Sequence, residues 1–177
     1  VGSFLINEHR LALYSVDVSG HGVASAMMTA RLAGLLSGGS PDQNIALRQG
    51  GSGPQEAWPP ALVAARLNRM MIEDLRVDQY FTLVYAEIDL SDGACQMVQA
   101  GHPHPVVLRK NGSIETVGSG GLPIGLIEDA VYEQFSFELQ SGDRPFLVSD
   151  GVTECPDRNG KELGEEGLVD LLRRNFT

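Results

Sequence analysis

The sequence predicts an α+β domain in which helices pack on antiparallel sheets, and three observations predict it. A pair of strands opens the chain, two stretches of helical periodicity follow, and further strands joined by hairpin-type turns come after them. No internal repeat is present.

Residues 3–6 and 10–16 read as strands around an Asn7-Glu8 turn. Over 23–36 the residues Val23, Ala26, Met27, Ala30, Ala33 and Leu36 recur at helical spacing, which predicts a buried helix with small residues for close packing. Residues 37–57 are rich in Gly, Ser, Pro and Gln, a composition that predicts a flexible loop within the domain rather than a boundary. The periodicity resumes over 58–75 through Leu62, Ala65, Leu67, Met70 and Met71, with Pro59-Pro60 suited to a first helical turn. Strands are then expected at 81–90 and 94–100, joined by Ser91-Asp92-Gly93, and at 105–109, 114–117, 131–139 and 144–148. A helix over 163–174 closes the sequence, with Arg173 and Arg174 near its C-terminal dipole.

Composition narrows the function classes. The 177 residues suit one domain, and 42% hydrophobic residues suit one with a core. No run approaches the roughly 20 apolar residues that cross a bilayer, and no export signal is visible, so a cytoplasmic, non-membrane protein is expected. A net charge of −10, from 23 acidic and 13 basic residues, repels nucleic acid, and no basic patch offsets it. Cys95 and Cys155 lack CxxC spacing, which predicts reduced thiols and no thiolate zinc site.

Two segments share a grammar of strand, Asp and Gly. Tyr14-Ser15-Val16-Asp17-Val18-Ser19-Gly20-His21-Gly22 delivers a carboxylate to a strand end before glycines that let backbone approach a ligand. Phe146-Leu147-Val148-Ser149 likewise delivers Asp150-Gly151. Hard cations such as Mg²⁺ or Mn²⁺ take such oxygen donors, and two aspartates converging on cations would make a bridging water nucleophilic near neutral pH. The competing reading is local: Asp17 caps the helix that begins near Val23, and Asp150-Gly151 is an ordinary turn.

Four motifs in order carry a resemblance: Asp17-Val18-Ser19-Gly20-His21-Gly22-Val23-Ala24-Ser25-Ala26, Ala100-Gly101-His102-Pro103, Gly121-Leu122-Pro123-Ile124-Gly125 and Ser149-Asp150-Gly151-Val152-Thr153-Glu154. With Gly142-Asp143 a short distance before the last, the chain resembles the SpoIIE/RsbU branch of the metal-dependent (type 2C, PPM) protein phosphatases over essentially its whole length. The resemblance implies an α/β-β/α sandwich of two antiparallel sheets flanked by helices, with two Mn²⁺ or Mg²⁺ ions at strand ends. By position, Asp17 resembles the aspartate that bridges both metals, Val18 the residue that supplies a backbone carbonyl, and Asp150 a ligand of the second cation. His21 reads as structural as readily as catalytic, His102 as loop-shaping rather than a base, and Glu154 as an exposed carboxylate as readily as a support for the metal ligands.

The family's earlier Gly-Gly-Asp aspartate and a later strand aspartate have no counterpart between residues 1 and 177, so a single domain incomplete at both ends is expected. The implied activity is hydrolysis of phosphoserine or phosphothreonine by a metal-activated water. The implied partners are a phosphorylated STAS-type anti-sigma-factor antagonist, a receiver or sensory domain in the same full-length protein, and a second copy of the chain. Two rivals remain: a catalytically inactive phosphatase-like module that binds a regulatory protein, and a structural interaction domain docking through 37–57. The helix pair around that loop is also expected to transmit regulation, with Ala26, Ala30 and Ala33 permitting sliding.

Overall fold

The computed structural model describes residues 1–49, 53–75 and 79–175. Strands β1 (Gly2–Asn7) and β2 (Arg10–Val18) form the opening hairpin, and β2 runs two residues further than its sequence predicts, carrying Asp17 and Val18 inside the ladder. Helix α1 (Val23–Leu35) and helix α2 (Pro60–Arg69) follow. Pro59 and Pro60 start α2, whose expected continuation to residue 75 changes to a π-helical turn over Met70–Leu75. Six further strands come next: β3 (Phe81–Asp89), β4 (Ala94–Ala100), β5 (Val106–Leu108), β6 (Ile114–Thr116), β7 (Gln134–Glu138) and β8 (Arg144–Phe146). A short helix, α3 (Asp150–Thr153), starts where only a turn was expected, and α4 (Gly164–Arg174) matches the last predicted helix.

The strands make two antiparallel sheets, a five-stranded one ordered β1-β2-β3-β4-β7 and a three-stranded one ordered β6-β5-β8. Strand alternation sorts the large sheet into two faces. Tyr14, Phe81, Leu83, Tyr85 and Val98 lie on one face, in a core with Met28, Leu32, Val63 and Leu67 of α1 and α2. Val84, Ala86 and Met97 lie on the other and receive Val117 and Leu147 from the region of the small sheet. Leu168 of α4 is buried, and it shares the walls of a cleft with Val106, Thr116 and Val148. The fold is thus an α+β sandwich of two antiparallel sheets with helices, as the sequence predicts. No helix among the described residues is long and apolar enough to cross a membrane.

The expected face of α1 is corrected. Val23 and Met27 are 77% and 69% exposed, and Ala26, Ala30 and Ala33 are exposed as well. Burial falls instead on Ser25, Met28 and Leu32, continuing to Leu36 just past the helix. Both stripes have helical spacing, so periodicity alone could not choose between them. The phase is decided by the stripe that meets the large sheet, which is that of Met28 and Leu32. Ala26, Ala30 and Ala33 accordingly form no sliding contact with the core.

Within 37–57, Asn44, Ala46, Leu47 and Ala57 are buried, and Leu47 bridges Ala57. Asn44 accounts for the local shape: its Nδ2 donates to the Ser37 carbonyl at 3.1 Å and its Oδ1 accepts from the Ala46 N–H at 2.9 Å. Residues 50–52 of that stretch lie outside the described residues.

Candidate functional site

Asp17 and Asp150 come together. Asp17 pairs with Thr82 across the β2–β3 ladder, and alternation puts Ser15, Asp17 and Thr82 on the face that also carries Val84 and Gln99. Leu147 packs on that face, and the chain leaving it reaches Asp150 at the first position of α3. The Asp150 carboxyl is within hydrogen-bonding reach of the Asp17 carboxyl. Burial first, and the facing Asp150 second, push the Asp17 pKa above the ordinary carboxylate range, while His102 pulls it the other way.

The local alternatives fare differently. Helix α1 is capped by Gly22 without any side-chain hydrogen bond, so Asp17 does not cap it. Gly20 and Gly22 hold positive φ angles of 83° and 90°, which turn the chain from β2 into α1 where a Cβ would be strained. Asp150 does occupy a helix start, but in a helix of four residues.

Val18, the third residue singled out, is buried and lies at the last rung of β2. Its partner Phe81 donates its N–H to the Ile124 carbonyl instead. In an antiparallel ladder the Val18 carbonyl therefore points away from β3. His21 and Glu154 are exposed and make no side-chain hydrogen bond among the described residues.

Two residues of the site were missed in the sequence. Thr82 Oγ1 is a buried side-chain oxygen with no hydrogen-bond partner among the described residues, directly across the ladder from Asp17. Its only signal was the pairing register, which one strand alone does not reveal. His102, read as loop-shaping, is 3% exposed and lies in the field of both aspartates. Its Nε2 is 2.8 Å from Ser15 Oγ and its Nδ1 is 3.1 Å from the Pro103 carbonyl oxygen. Burial lowers the His102 pKa; the Pro103 carbonyl and the two carboxylates act against that.

The donor chemistry fits a hard divalent cation. Two facing carboxyls, an outward backbone carbonyl and an orphaned hydroxyl are all oxygen donors, and like-charged carboxylates in contact require either a proton or a cation between them. Among the described residues no group of three or more His, Cys, Asp or Glu side chains is gathered around a metal position. The set therefore suits a cation that keeps several waters, as Mg²⁺ and Mn²⁺ do, more than one fully caged by protein.

Known proteins resemble this chain in sequence and in fold. Phosphoserine phosphatase RsbP of Bacillus subtilis (strain 168) is 28% identical over 153 residues, which cover 86% of this chain and 36% of RsbP. Phosphoserine phosphatase RsbU of the same organism is 32% identical over 108 residues, covering 60% of this chain and 32% of RsbU. The chain thus spans about a third of the length of the curated relatives it matches. Among solved structures, the PP2C phosphatase domain of SpoIIE from Bacillus subtilis superposes with a TM-score of 0.75 at 22% identity, covering 99% of this chain and 47% of that one, which shows the fold. The family described as Stage II sporulation protein E (SpoIIE) matches residues 7–177. Nearly the whole chain, including both aspartates and the strands that bring them together, therefore belongs to the SpoIIE family.

Proposed function

We propose that this domain is a metal-dependent protein serine/threonine phosphatase that hydrolyses phosphoserine or phosphothreonine on a regulatory protein. The observation that carries the reading is the meeting of the Asp17 and Asp150 carboxyls from opposite ends of a chain of the SpoIIE family. Its relatives RsbP and RsbU are phosphoserine phosphatases by name. The substrate suggested by that kinship is a phosphorylated STAS-type anti-sigma-factor antagonist. A receiver or sensory domain in the same full-length protein and a second copy of the chain complete the proposed partners, and the cytoplasm is the proposed compartment.

Asp17, Asp150 and the Val18 carbonyl are the proposed holders of Mn²⁺ or Mg²⁺, two ions in the fullest form of the reading. Bound there, such cations would supply positive charge against phosphoryl oxygens and would make water more acidic. The protein's part is positional. Asp17 is fixed by the β2–β3 ladder and Asp150 by the start of α3, so the two charges are presented together. The charge of −10 would otherwise repel a phosphate dianion, and a cation held by this acidic pair would reverse the local sign. Gly20, His21 and Gly22, which follow the β2 strand that carries Asp17, are exposed.

The test is release of phosphate from a phosphoserine protein by full-length protein with Mn²⁺, beside Asp17→Asn and Asp150→Asn variants. Turnover that requires Mn²⁺ and disappears in both variants supports the reading. Stoichiometric binding of the phosphoprotein without turnover selects the inactive, regulatory module instead.

A further inference from the structure

Ser15 and Asp17 lie on one face of β2, where they pair with Val84 and Thr82 of β3. The Asp17 carboxyl there faces Asp150. A lateral tie is present at Ser15, which is 2% exposed and shares its face with Asp17. Its Oγ meets His102 Nε2 at 2.8 Å, across 87 residues of sequence.

His102 is itself immobilised from three directions. Its backbone carbonyl accepts from Gln99 Nε2 at 2.6 Å. The Gln99 Oε1 in turn accepts from the Gly120 N–H at 2.8 Å, and Gln99 is 2% exposed. Gly101, one residue before, bridges Leu83 of β3. At the ring, Nδ1 faces the Pro103 carbonyl, which can only accept, so Nδ1 carries hydrogen. In the neutral ring Nε2 is then the acceptor and the Ser15 hydroxyl the donor.

We propose that His102 is a positioning residue of the site: anchored through Gln99 and Pro103, it holds Ser15 and thereby sets the place of the Asp17 carboxyl opposite Asp150. This rests on the metal-centre reading of the two aspartates, and it assigns His102 no contact with substrate. It also explains why an imidazole, with two nitrogens on opposite sides of a rigid ring, stands where a loop-shaping residue needs neither.

The experiment is Mn²⁺ titration, followed by electron paramagnetic resonance of the free ion, on full-length wild type, His102→Gln, His102→Asn, Ser15→Ala and the His102→Asn/Ser15→Ala double variant. Glutamine places an amide oxygen near the position of Nε2. Asparagine reaches only the Pro103 side and leaves Ser15 untied. The expected result is that His102→Asn and Ser15→Ala weaken Mn²⁺ binding by the same factor, roughly 10- to 100-fold. The double variant is then no worse than either, and His102→Gln retains wild-type affinity. Wild-type affinity in His102→Asn, or equal loss in His102→Gln and His102→Asn, overturns the proposal.

Asp17→Asn, titrated alongside, separates the two levels. If it binds Mn²⁺ as tightly as wild type, the metal-centre reading fails, and the tie is judged on metal-free protein by ¹⁵N–¹H spectra. A His102 ring protonated at Nδ1, with Asp17 resonances moved by His102→Asn and not by His102→Gln, supports it. A ring protonated at Nε2, or Asp17 resonances indifferent to both variants, overturns it.

Discussion

The Asp17 carboxyl meets the Asp150 carboxyl at the face where the two sheets come together, one carried by a strand of the large sheet and the other by the first residue of a helix that follows the small one. Two like charges in contact destabilise a fold, and their retention argues for use rather than for stability. Asp17→Asn is therefore expected to stabilise the metal-free protein by about 1 kcal/mol, roughly 2–4 °C in Tm at this size, while abolishing Mn²⁺ binding. Thermal unfolding with and without Mn²⁺ measures both effects, and their opposite signs distinguish a binding site from a structural pair.

Thr82 makes a related prediction through a neutral group. Its hydroxyl is buried across the ladder from Asp17 without a partner among the described residues, which costs free energy that a methyl group in the same place would not. Thr82→Val is expected to raise stability by about 1 kcal/mol and to weaken Mn²⁺ affinity several-fold. Denaturant unfolding and Mn²⁺ titration check the two halves.

The face of α1 is open to a direct comparison. Leu32 is 1% exposed against the large sheet, whereas Met27, on the stripe that the sequence favoured, faces solvent. Leu32→Ala is expected to cost about 2–5 kcal/mol and Met27→Ala to stay within about 0.5 kcal/mol of wild type. Chemical denaturation of both variants measures this, and similar losses in the two would reverse the assignment of the buried face.

Acid sensitivity traces to Asp143. Its carboxylate accepts from the Gln140 N–H, from Arg109 Nη1 at 2.7 Å and from the Lys110 N–H, clasping two turns of the small sheet. The Gln140 bond first, then Arg109, hold its pKa down to about 2 from the ordinary 3.8. The folded value lies below the unfolded one, so the stabilisation is present above about pH 4 and is lost as pH falls through about 2. Asp143→Asn is expected to flatten that part of the stability curve, as followed by urea unfolding between pH 5 and pH 2.

The sequence laid out much of the fold because its cues are local. Ser91-Asp92-Gly93 between apolar runs predicts the β3–β4 hairpin, and Pro59-Pro60 predicts where α2 starts; each depends on the chemistry of a few neighbouring residues. The phase of α1 was not legible, since two stripes of equal period differ only in which meets a partner. The burial of Ala46, Leu47 and Ala57 in a Gly- and Ser-rich stretch was hidden for the same reason.

At the site, Asp17 and Asp150 stood out in the sequence because each follows an apolar run and precedes a turn-forming segment, a pattern written within ten residues. That sequence also determined the acidic balance and the family signature. Only the tertiary structure decided that the two carboxyls meet, that Thr82 lies across the ladder from one of them without a partner among the described residues, and that His102 reaches Ser15. The physical reason is register: which residue opposes which across a ladder, and which loop crosses the strand end, depend on packing between segments far apart in the chain, and no window of neighbouring residues contains that information.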